Sequence, residues 1–464
     1  MSRPMPRGAA AVARASRRRF LGACAALGAL PAALAASAAR AQGTAAPARE
    51  IRLEAAPARI GVVGKPYPDT DLWAYNGAFP GPVLRARQGE RLRVRLVNRL
   101  EQETTVHWHG IRLPNAMDGV PHLTQPPVAP GAEFLYEFEL PDAGTFWYHP
   151  HASSAEQLGR GLYGALIVEE RTPPAFDRDV LWVLSDLRLD REARIAADFN
   201  APFDASHAGR LGNTVLVNGR VPDAFALDAG ERVRLRLVNA ANARIFRLNF
   251  EGHAPRVIAL DGHPVSSHSA TGGLVLGPGM RADLELEASG EPGRRYAVTD
   301  DFFARRAYRL VDLAYTERRA PARLLPAPQL PPNPLAAPDL ARAERVKLVL
   351  GGGAMRSRQP QGMWSINGQS MRGHAREPLL RLKRGRSCVL EIENDTAWHH
   401  PFHLHGVAFR ALAEPHQPWR DTALIDPGAR AEFAFVADNP GDWMIHCHIL
   451  EHQEAGMMAV MRIE

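Results

Sequence analysis

Cysteine is scarce in this chain, with three in 464 residues. One of them, Cys24, lies in an N-terminal segment with the features of an export signal, so too few remain for a disulfide framework. Aromatic residues make up only 7% of the sequence, whereas 39 glycines and 38 prolines separate many short apolar runs. This composition favours a soluble, all-β protein over a helical, disordered or membrane-embedded one.

Acidic residues are absent from residues 1–41, which contain seven arginines. The remainder has 49 basic and 50 acidic side chains, so the formal charge of +6 does not indicate a nucleic-acid partner. Arg17-Arg18-Arg19-Phe20-Leu21 precedes an alanine-rich apolar run that ends near Leu34 and is too short for a membrane span. We predict that residues 1–41 are a twin-arginine (Tat) signal peptide, read by the Tat export machinery, and that the protein is periplasmic.

The rest of the sequence contains a threefold repeat. In each copy an alternating apolar and polar segment ends in asparagine, at Asn98, Asn239 and Asn394, as half-buried strands do. Turn signals flank each segment at matching distances, with Asn-Gly before it at 76, 218 and 367, and Pro-Gly after it at 130, 278 and 427. This repeat predicts three β domains at residues 45–171, 172–318 and 342–464, with a proline-rich connector at residues 319–341.

Ten of the 18 histidines lie in four clusters, and eight of these fall on the repeat. The first and third copies each carry two His-x-His pairs at the same offsets: His107, His109, His149 and His151, and His403, His405, His446 and His448. The second copy has no histidine at these offsets. Residues two apart on a strand share a face, so each pair aims two imidazoles at one point. Eight imidazoles exceed a tetrahedral zinc site, and several copper ions fit better.

Cys447 lies between His446 and His448, so on an extended strand its thiolate points away from both imidazoles. His400, His452 and Met457 complete a set of two imidazoles, a thiolate and a weak thioether, which is typical of a blue-copper centre. The first domain lacks this set. The other remaining cysteine, Cys388, occupies an inward strand position of the repeat and is predicted to be a buried core thiol.

These motifs resemble those of bacterial, laccase-like three-domain multicopper oxidases, and the resemblance covers essentially the whole chain after residue 41. It is carried by His107-Trp108-His109-Gly110, His149-Pro150-His151, the segment 400–406 and His446-Cys447-His448 through Met457. The resemblance implies an all-β fold of three cupredoxin-like β-sandwiches and four copper ions. It assigns His400, Cys447, His452 and Met457 to type 1 copper, His107 and His403 to type 2, and His109, His149, His151, His405, His446 and His448 to the type 3 pair.

The resemblance also implies a reaction. Single electrons from a small reducing substrate pass by way of Cys447 to the copper cluster, where dioxygen is reduced to water. Asp118, eleven residues after His107, matches the family's acidic residue near the cluster, although an aspartate before glycine also suits a simple turn. Bacterial relatives often place a proton-relaying glutamate where this chain has Gln453, which leaves Glu451 and Glu454 as candidates. We expect a monomer without a membrane span.

The electron donor is less clearly indicated by the residues. Relatives specialised for cuprous ion share an aspartate and a methionine at the positions four and two residues before the first type 1 histidine, where they hold the incoming ion. This chain has Thr396 and Trp398 at those positions, and neither supplies a carboxylate or a thioether. We therefore predict oxidation of phenols and aromatic amines, with Trp398 offering an aromatic face. A periplasmic metallo-oxidase for cuprous or ferrous ion in copper tolerance is an alternative. A non-enzymatic copper-binding or scaffold protein is another, and the complete ligand set and the scattered methionines argue against it.

Overall fold

The structure is a computed structural model that describes residues 50–321, 328–355, 363–371 and 377–464. Within these ranges the chain forms thirty β-strands, which are arranged in six sheets, and three short α-helices. The predicted signal peptide at residues 1–41 lies outside the described residues. Among the described residues, no helix has both the length and the apolar character that a membrane crossing requires.

The first β-sandwich consists of two four-stranded sheets. Its strands are β1 (Glu50–Ile60), β2 (Thr70–Tyr75), β3 (Gly81–Arg87), β4 (Arg91–Asn98), β5 (His107–His109), β6 (Glu133–Glu139), β7 (Gly144–His149) and β8 (Gly164–Glu169). The sheet orders are β2-β1-β4-β6 and β3-β8-β7-β5. A 3-10 turn at Asn115–Met117 follows β5, and helix α1 (Ser154–Gly159) follows β7.

The second β-sandwich has a six-stranded and a five-stranded sheet. Its strands are β9 (Arg178–Leu187), β10 (Thr214–Val217), β11 (Ala224–Ala229), β12 (Arg232–Asn239), β13 (Phe246–Phe250), β14 (Arg256–Leu260), β15 (His263–Ser269), β16 (Leu274–Leu276), β17 (Arg281–Glu287), β18 (Arg295–Asp300) and β19 (Tyr308–Arg319). The orders are β10-β9-β12-β17-β14-β15 and β11-β19-β18-β13-β16. Helix α2 (Pro202–Ser206) follows β9, and a 3-10 turn at Ala304–Arg306 precedes β19.

The third β-sandwich has the same six-plus-five arrangement. Its strands are β20 (Glu344–Gly352), β21 (Trp364–Ile366), β22 (Leu380–Leu382), β23 (Ser387–Asn394), β24 (His400–Leu404), β25 (Phe409–Ala411), β26 (Trp419–Arg420), β27 (Thr422–Ile425), β28 (Arg430–Val436), β29 (Gly441–Cys447) and β30 (Met458–Ile463). The orders are β21-β20-β23-β28-β25-β26 and β22-β30-β29-β24-β27. Helix α3 (Leu450–Glu454) lies between β29 and β30.

The strands that end in asparagine occupy the same place in all three sandwiches. Each pairs in parallel with the first long strand of its copy, as β4 does with β1, β12 with β9 and β23 with β20. On its other side each pairs antiparallel with the strand after Pro-Gly: β6, β17 and β28. Alternate residues of β4 face the core, since Leu92, Val94 and Leu96 are buried, whereas the arginines that alternate with them pair with glutamates of β1 and β6.

The asparagine is repeated because it joins two loops to the strand end. Asn98, Asn239 and Asn394 are fully buried. In each copy the side-chain amide donates to backbone carbonyls of both the following loop and the segment that leads into the Pro-Gly turn. Its carbonyl oxygen accepts the N–H two residues later. In the first and third copies the loop fixed in this way leads directly into a His-x-His pair.

One continuous cluster of buried apolar residues extends through the first and third sandwiches, whereas the second sandwich has a core of its own. Cys388 belongs to the shared cluster and is 1% exposed, so the prediction of a buried core thiol is confirmed. Burial raises the pKa of this thiol to about 12. The shared core is what brings the histidine-bearing strands of the first and third sandwiches together.

Candidate metal centres

The eight paired histidines meet between the first and third sandwiches. In the first, β5 pairs with β7 so that His107 lies opposite His149. In the third, β24 pairs with β29 so that His403 lies opposite His446. Rings from the two sandwiches stack across the junction, with centroids 3.9 Å apart for His107 and His405, and 3.8 Å apart for His109 and His403. None of the eight side chains is more than 5% exposed.

Hydrogen bonds orient six of these rings. The Nδ1 atoms of His107, His149, His403 and His446 donate to backbone carbonyl oxygens at 2.8 to 3.1 Å. Nδ1 of His405 donates to the Asp118 carboxylate at 2.8 Å, and Nε2 of His109 donates to the Asp421 carboxylate at 3.1 Å. A neutral ring that donates through one nitrogen offers a lone pair on the other, so these contacts select the tautomer of each ring.

Most of the remaining nitrogens of the eight rings have no hydrogen-bond partner. Buried and without a hydrogen bond are Nε2 of His107, His149 and His403, Nδ1 of His109, and both nitrogens of His151 and His448. Nε2 of His405 and Nε2 of His446 face each other at 3.1 Å. Buried polar atoms are normally paired, so such a concentration of unpaired nitrogens requires an explanation. Metal ions bound among them would satisfy these atoms, and the donor set therefore fits copper.

Burial favours the neutral form of most of these rings. It lowers the pKa of seven of the eight imidazoles, and neighbouring histidines lower most of them further: His109, His149, His151, His403, His405, His446 and His448. Neutral imidazole is the form that binds a metal ion, so burial prepares the rings to act as ligands.

A second group lies around Cys447. Nδ1 of His400 is 3.3 Å from Cys447 Sγ and 3.3 Å from Nδ1 of His452, which is 3.7 Å from the same sulfur. Thr396 Oγ1 lies 2.8 Å from Nε2 of His400, and Nε2 of His452 donates to the His207 carbonyl at 2.6 Å. Burial raises the pKa of the Cys447 thiol, so a bound cation is needed to hold it as thiolate.

Met457 is fully buried beside this second group. Its carbonyl oxygen accepts the N–H of Cys447 at 3.0 Å, and its own N–H donates to the carbonyl of His452. The backbone thus ties Met457 to Cys447 and His452, two members of this group. The neighbouring Met458 instead packs in a small apolar cluster with Val120 and Met444.

The strand geometry connects the two groups. Cys447 ends β29, and its thiol faces His400 and His452, while the flanking His446 and His448 point to the eight-histidine centre. The His446 ring donates to the carbonyl oxygen of Cys447 at 2.8 Å. A route of a few covalent bonds, with one hydrogen bond alongside, therefore joins the thiol to the histidine cluster.

Asp118 lies against the eight-histidine centre and is 1% exposed. Its carbonyl oxygen accepts from His107, and its carboxylate accepts from His405 of the third sandwich. The residue is also part of a tight turn, since Gly119 has φ +81° and a Cβ there would lie 1.9 Å from the carbonyl oxygen of Val106. Asp118 therefore combines a turn position with contact to two of the paired histidines.

Sequence reasoning missed several contacts of these centres. Asp421 bonds His109 through its carboxylate and His403 through its carbonyl oxygen. Thr422 lies 3.0 Å from each of the same two rings. His207, interpreted from sequence as a surface or structural residue, supplies the carbonyl oxygen that His452 contacts. His109 and Asp421 are 312 residues apart, so no local pattern could have indicated these contacts.

A cavity of about 350 Å³ reaches the edge of the eight-histidine centre. Its lining includes His151, Gln453 and Glu454. The Glu454 carboxylate accepts hydrogen bonds from the Ala155 N–H and from Asn200. Glu451, the other candidate for a proton relay, is bonded to Asn242 and is not part of this lining.

Comparison with known proteins identifies the family. Multicopper oxidase family models match residues 61–173, 182–314 and 345–464. Multicopper oxidase MmcO of Mycobacterium tuberculosis is 31% identical, over 86% of this chain and 84% of that protein. The crystal structure of a multi-copper oxidase from Pseudomonas thermotolerans superposes with a TM-score of 0.83 at 38% identity, over 90% of this chain and 100% of that one.

Three cupredoxin-like sandwiches that bring together the buried group around Cys447, called the thiolate site below, and a cluster of eight histidines are typical of a copper-dependent oxidoreductase. The chain belongs to the multicopper oxidase family. The predicted family, all-β cupredoxin-like fold and enzyme class are therefore confirmed, and the family implies copper as cofactor, with dioxygen and a reducing substrate as reactants.

The relatives differ in the activity that their names state. Laccase-1 of Botryotinia fuckeliana is 29% identical, over 82% of this chain and 77% of that protein. A multicopper oxidase from Campylobacter jejuni, described as a metallo-oxidase, superposes with a TM-score of 0.77 at 26% identity, over 89% of this chain and 91% of that one. The family alone therefore leaves the electron donor open.

Proposed function

We propose that this enzyme is a laccase-like oxidase with four copper ions, which couples one-electron oxidation of phenols and aromatic amines to reduction of dioxygen to water. The observation that carries the proposal is the set of buried, unpartnered ring nitrogens between the first and third sandwiches. Type 1 copper would be held by His400, Cys447, His452 and Met457. Type 2 would be held by His107 and His403, and the type 3 pair by His109, His149, His151, His405, His446 and His448.

Copper, when bound, supplies one-electron redox chemistry at the thiolate site and four-electron reduction of dioxygen at the cluster. The protein fixes where these steps occur. Cys447 and the His446 ring that donates to its carbonyl oxygen provide the connection for electrons. Asp118 holds His405 and His107 in their tautomers, and its buried carboxylate is a group that can pass protons at the cluster. Burial shields the eight rings from bulk water, and the cavity lined by His151 is a route by which small molecules can reach the edge of the centre.

The surroundings of His452 support an aromatic donor. Phe203 of α2 is 70% exposed and stacks on the His207 ring, with centroids 4.1 Å apart. The His207 ring meets the Trp398 ring edge-on at 5.3 Å, and the His207 carbonyl accepts from His452. The Trp398 indole N–H donates to the Ala354 carbonyl, so Trp398 offers its ring and not its N–H. An exposed aromatic surface thus leads from solvent to a ligand of the thiolate site.

The donor preference is testable on one preparation. Catalytic efficiency for dimethoxyphenol is expected to exceed that for stabilised cuprous ion. Phe203→Ala should raise KM for the phenol about 2- to 10-fold, since an aromatic pair contributes about 0.5–1.5 kcal/mol. Tyr67→Ala, which changes an aromatic residue 48% exposed in the first sandwich, is the matched control and should change neither KM nor turnover.

A clear preference for cuprous ion would favour the metallo-oxidase alternative. One observation fits that outcome, because Met355, which carries a thioether, is 82% exposed. The N–H of the preceding Ala354 donates to the carbonyl of Ser206, the neighbour of the residue whose carbonyl accepts from His452. In that case Phe203→Ala would leave cuprous oxidation intact, and the aromatic surface would have no role in donor binding.

We further propose that the enzyme is exported to the periplasm by the twin-arginine route. The proposal is supported by Arg17-Arg18-Arg19 ahead of Phe20-Leu21 and the alanine-rich run. The twin-arginine route exports proteins that are already folded. This suits a metal site whose ligands come from the first and third sandwiches, because these must fold and pack before the ligands meet. Changing Arg17, Arg18 and Arg19 together to lysine should leave precursor in the cytoplasm, measured by fractionation. Arg14→Lys is the control, and normal periplasmic accumulation of the triple variant would exclude this route.

A further inference from the structure

The second sandwich carries no His-x-His pair, yet the start of its strand β17 lies against the eight-histidine centre. We infer that Arg281 is a positioning residue for this centre, and that it acts on His109 through the carboxylate of Asp421. The inference rests on the proposed assignment of His109 as a copper ligand. It gives the second sandwich a part in the metal chemistry, although that sandwich supplies none of the eight imidazoles.

Arg281 is fully buried, and all its donors are used across three sandwiches. Its two terminal nitrogens donate to both carboxylate oxygens of Asp421, at 2.7 and 2.6 Å. The remaining hydrogens go to the carbonyl oxygens of Thr145, Gly279 and Asp261. A two-pronged contact of this kind fixes the plane of the carboxylate as well as its position.

Asp421 transmits this orientation to His109. Its Oδ1 atom lies 3.1 Å from Nε2 of His109 and also accepts the Thr422 hydroxyl at 2.8 Å. His109 differs from the other five hydrogen-bonded rings of the centre, because it donates through Nε2 and leaves Nδ1 as the unpartnered nitrogen. The Asp421 carboxylate and the Thr422 hydroxyl, 3.1 and 3.0 Å from Nε2 of His109, thus favour the Nε2–H tautomer of this ring. Arg281 holds the carboxylate that both His109 and Thr422 contact.

Two glycines make room for this arrangement. At Gly279, with φ +84°, a Cβ would lie 2.8 Å from the His448 ring and 3.0 Å from the His109 ring. At Gly110 a Cβ would lie 2.3 Å from the Arg281 guanidinium and 2.5 Å from the Asp421 carboxylate. The other Pro-Gly turns of the repeat differ, because Gly131 and Gly428 share the positive φ but have nothing within 4 Å. The second copy of the turn is therefore the one packed against the histidines.

The second sandwich also offers a matched control. Arg234 is 1% exposed and donates to the buried carboxylate of Asp283 at 2.7 Å, in the same sheet as Arg281. Arg234 forms ion pairs with the carboxylates of Asp283 and Glu170, neither of which contacts one of the eight histidines in the described part of the chain. Arg234→Lys therefore disturbs a comparable buried ion pair without disturbing the orientation of a paired histidine.

The test uses the full-length, copper-loaded enzyme and its Arg281→Lys variant, because lysine keeps the charge but cannot make the two-pronged contact. Copper retention by the eight-histidine centre against a chelator is expected to weaken about 10- to 100-fold, as is usual when a residue that orients a metal ligand is changed. The near-ultraviolet absorption of the type 3 pair should weaken with it. The blue absorption of the Cys447 site, which Arg281 does not contact, should persist and serves as the report of folding. Arg234→Lys should leave all three readouts unchanged.

Gly110→Ala and Gly428→Ala form a second pair that tests the same contact if Arg281→Lys does not fold. Both place an alanine at positive φ, but only the Cβ at Gly110 meets the Arg281 guanidinium and the Asp421 carboxylate, so Gly110→Ala alone should disturb the cluster spectrum. The inference would be overturned if Arg281→Lys kept its copper retention and near-ultraviolet absorption. It would also be overturned if the two variants of either pair lost the same amount of copper and of near-ultraviolet absorption. A wild-type enzyme that binds no copper in the eight-histidine centre would instead overturn the proposed ligand assignment on which the inference rests.

Discussion

Replacing Cys447 with serine should remove the blue colour of the copper-loaded enzyme and reduce oxidase turnover to background. The intense absorption of a blue-copper site arises from charge transfer between thiolate and copper, which a hydroxyl cannot supply. The same thiolate is the first atom of the route to His446 and His448, so donor oxidation is uncoupled from the cluster as well. The eight imidazoles are untouched, and their spectroscopic signals should remain.

Cys388→Ser is the matched control, since Cys388 is a buried thiol of the same sandwich that lies in the apolar core. It should keep both colour and turnover and lose about 1–3 kcal/mol of unfolding free energy, because a hydroxyl is buried among apolar neighbours. Visible spectra and oxygen uptake on the two variants are the measurements. A blue Cys447→Ser enzyme would contradict the assignment of Cys447 to the type 1 site.

Asp118→Asn is expected to lower turnover by about 10²- to 10⁴-fold, the usual contribution of a positioned acid–base group. Asparagine has nearly the same shape and keeps a carbonyl oxygen for the His405 N–H, so copper should still bind. It cannot take up and release a proton at the cluster, so the reduction of dioxygen should slow while reduction of the blue site by the donor does not.

Stopped-flow spectroscopy separates the two half-reactions. Bleaching of the blue band by the phenol without dioxygen follows reduction of the blue site, and return of the band on mixing with dioxygen follows reoxidation, the step expected to slow. Asp142→Asn is a control for the loss of a buried carboxylate, since Asp142 pairs with Arg112 and contacts none of the paired histidines. A normal reoxidation rate in Asp118→Asn would contradict the role of Asp118 in proton transfer and would leave it only its place in the turn before Gly119.

Much of the fold could be predicted because its signals are local. The asparagine that ends β4, β12 and β23 recurs with its turn signals, since each strand end needs the same backbone hydrogen bonds. The paired histidines were recognisable from strand periodicity, and the structure brings all eight together at one junction. The ends of the three domains, the signal peptide and the export route stay predictions.

The remainder of the site depends on contacts that no sequence pattern records. Asp421 and Arg281 belong to different sandwiches and meet at the centre only because the three sandwiches pack together. His207 reaches His452 through its backbone carbonyl, for which any residue type would serve. Trp398 could be placed near the thiolate site from sequence, but the backbone contact that occupies its indole N–H could not.

The copper content of fully loaded wild-type enzyme and of Cys447→Ser, measured per chain by elemental analysis, tests the two-centre assignment most directly. Four ions per wild-type chain and three per Cys447→Ser chain are expected, because the thiolate site holds one ion and the eight histidines hold the others. About one ion per wild-type chain, or the same number in both proteins, would contradict an oxidase built from a separate thiolate site and a trinuclear cluster.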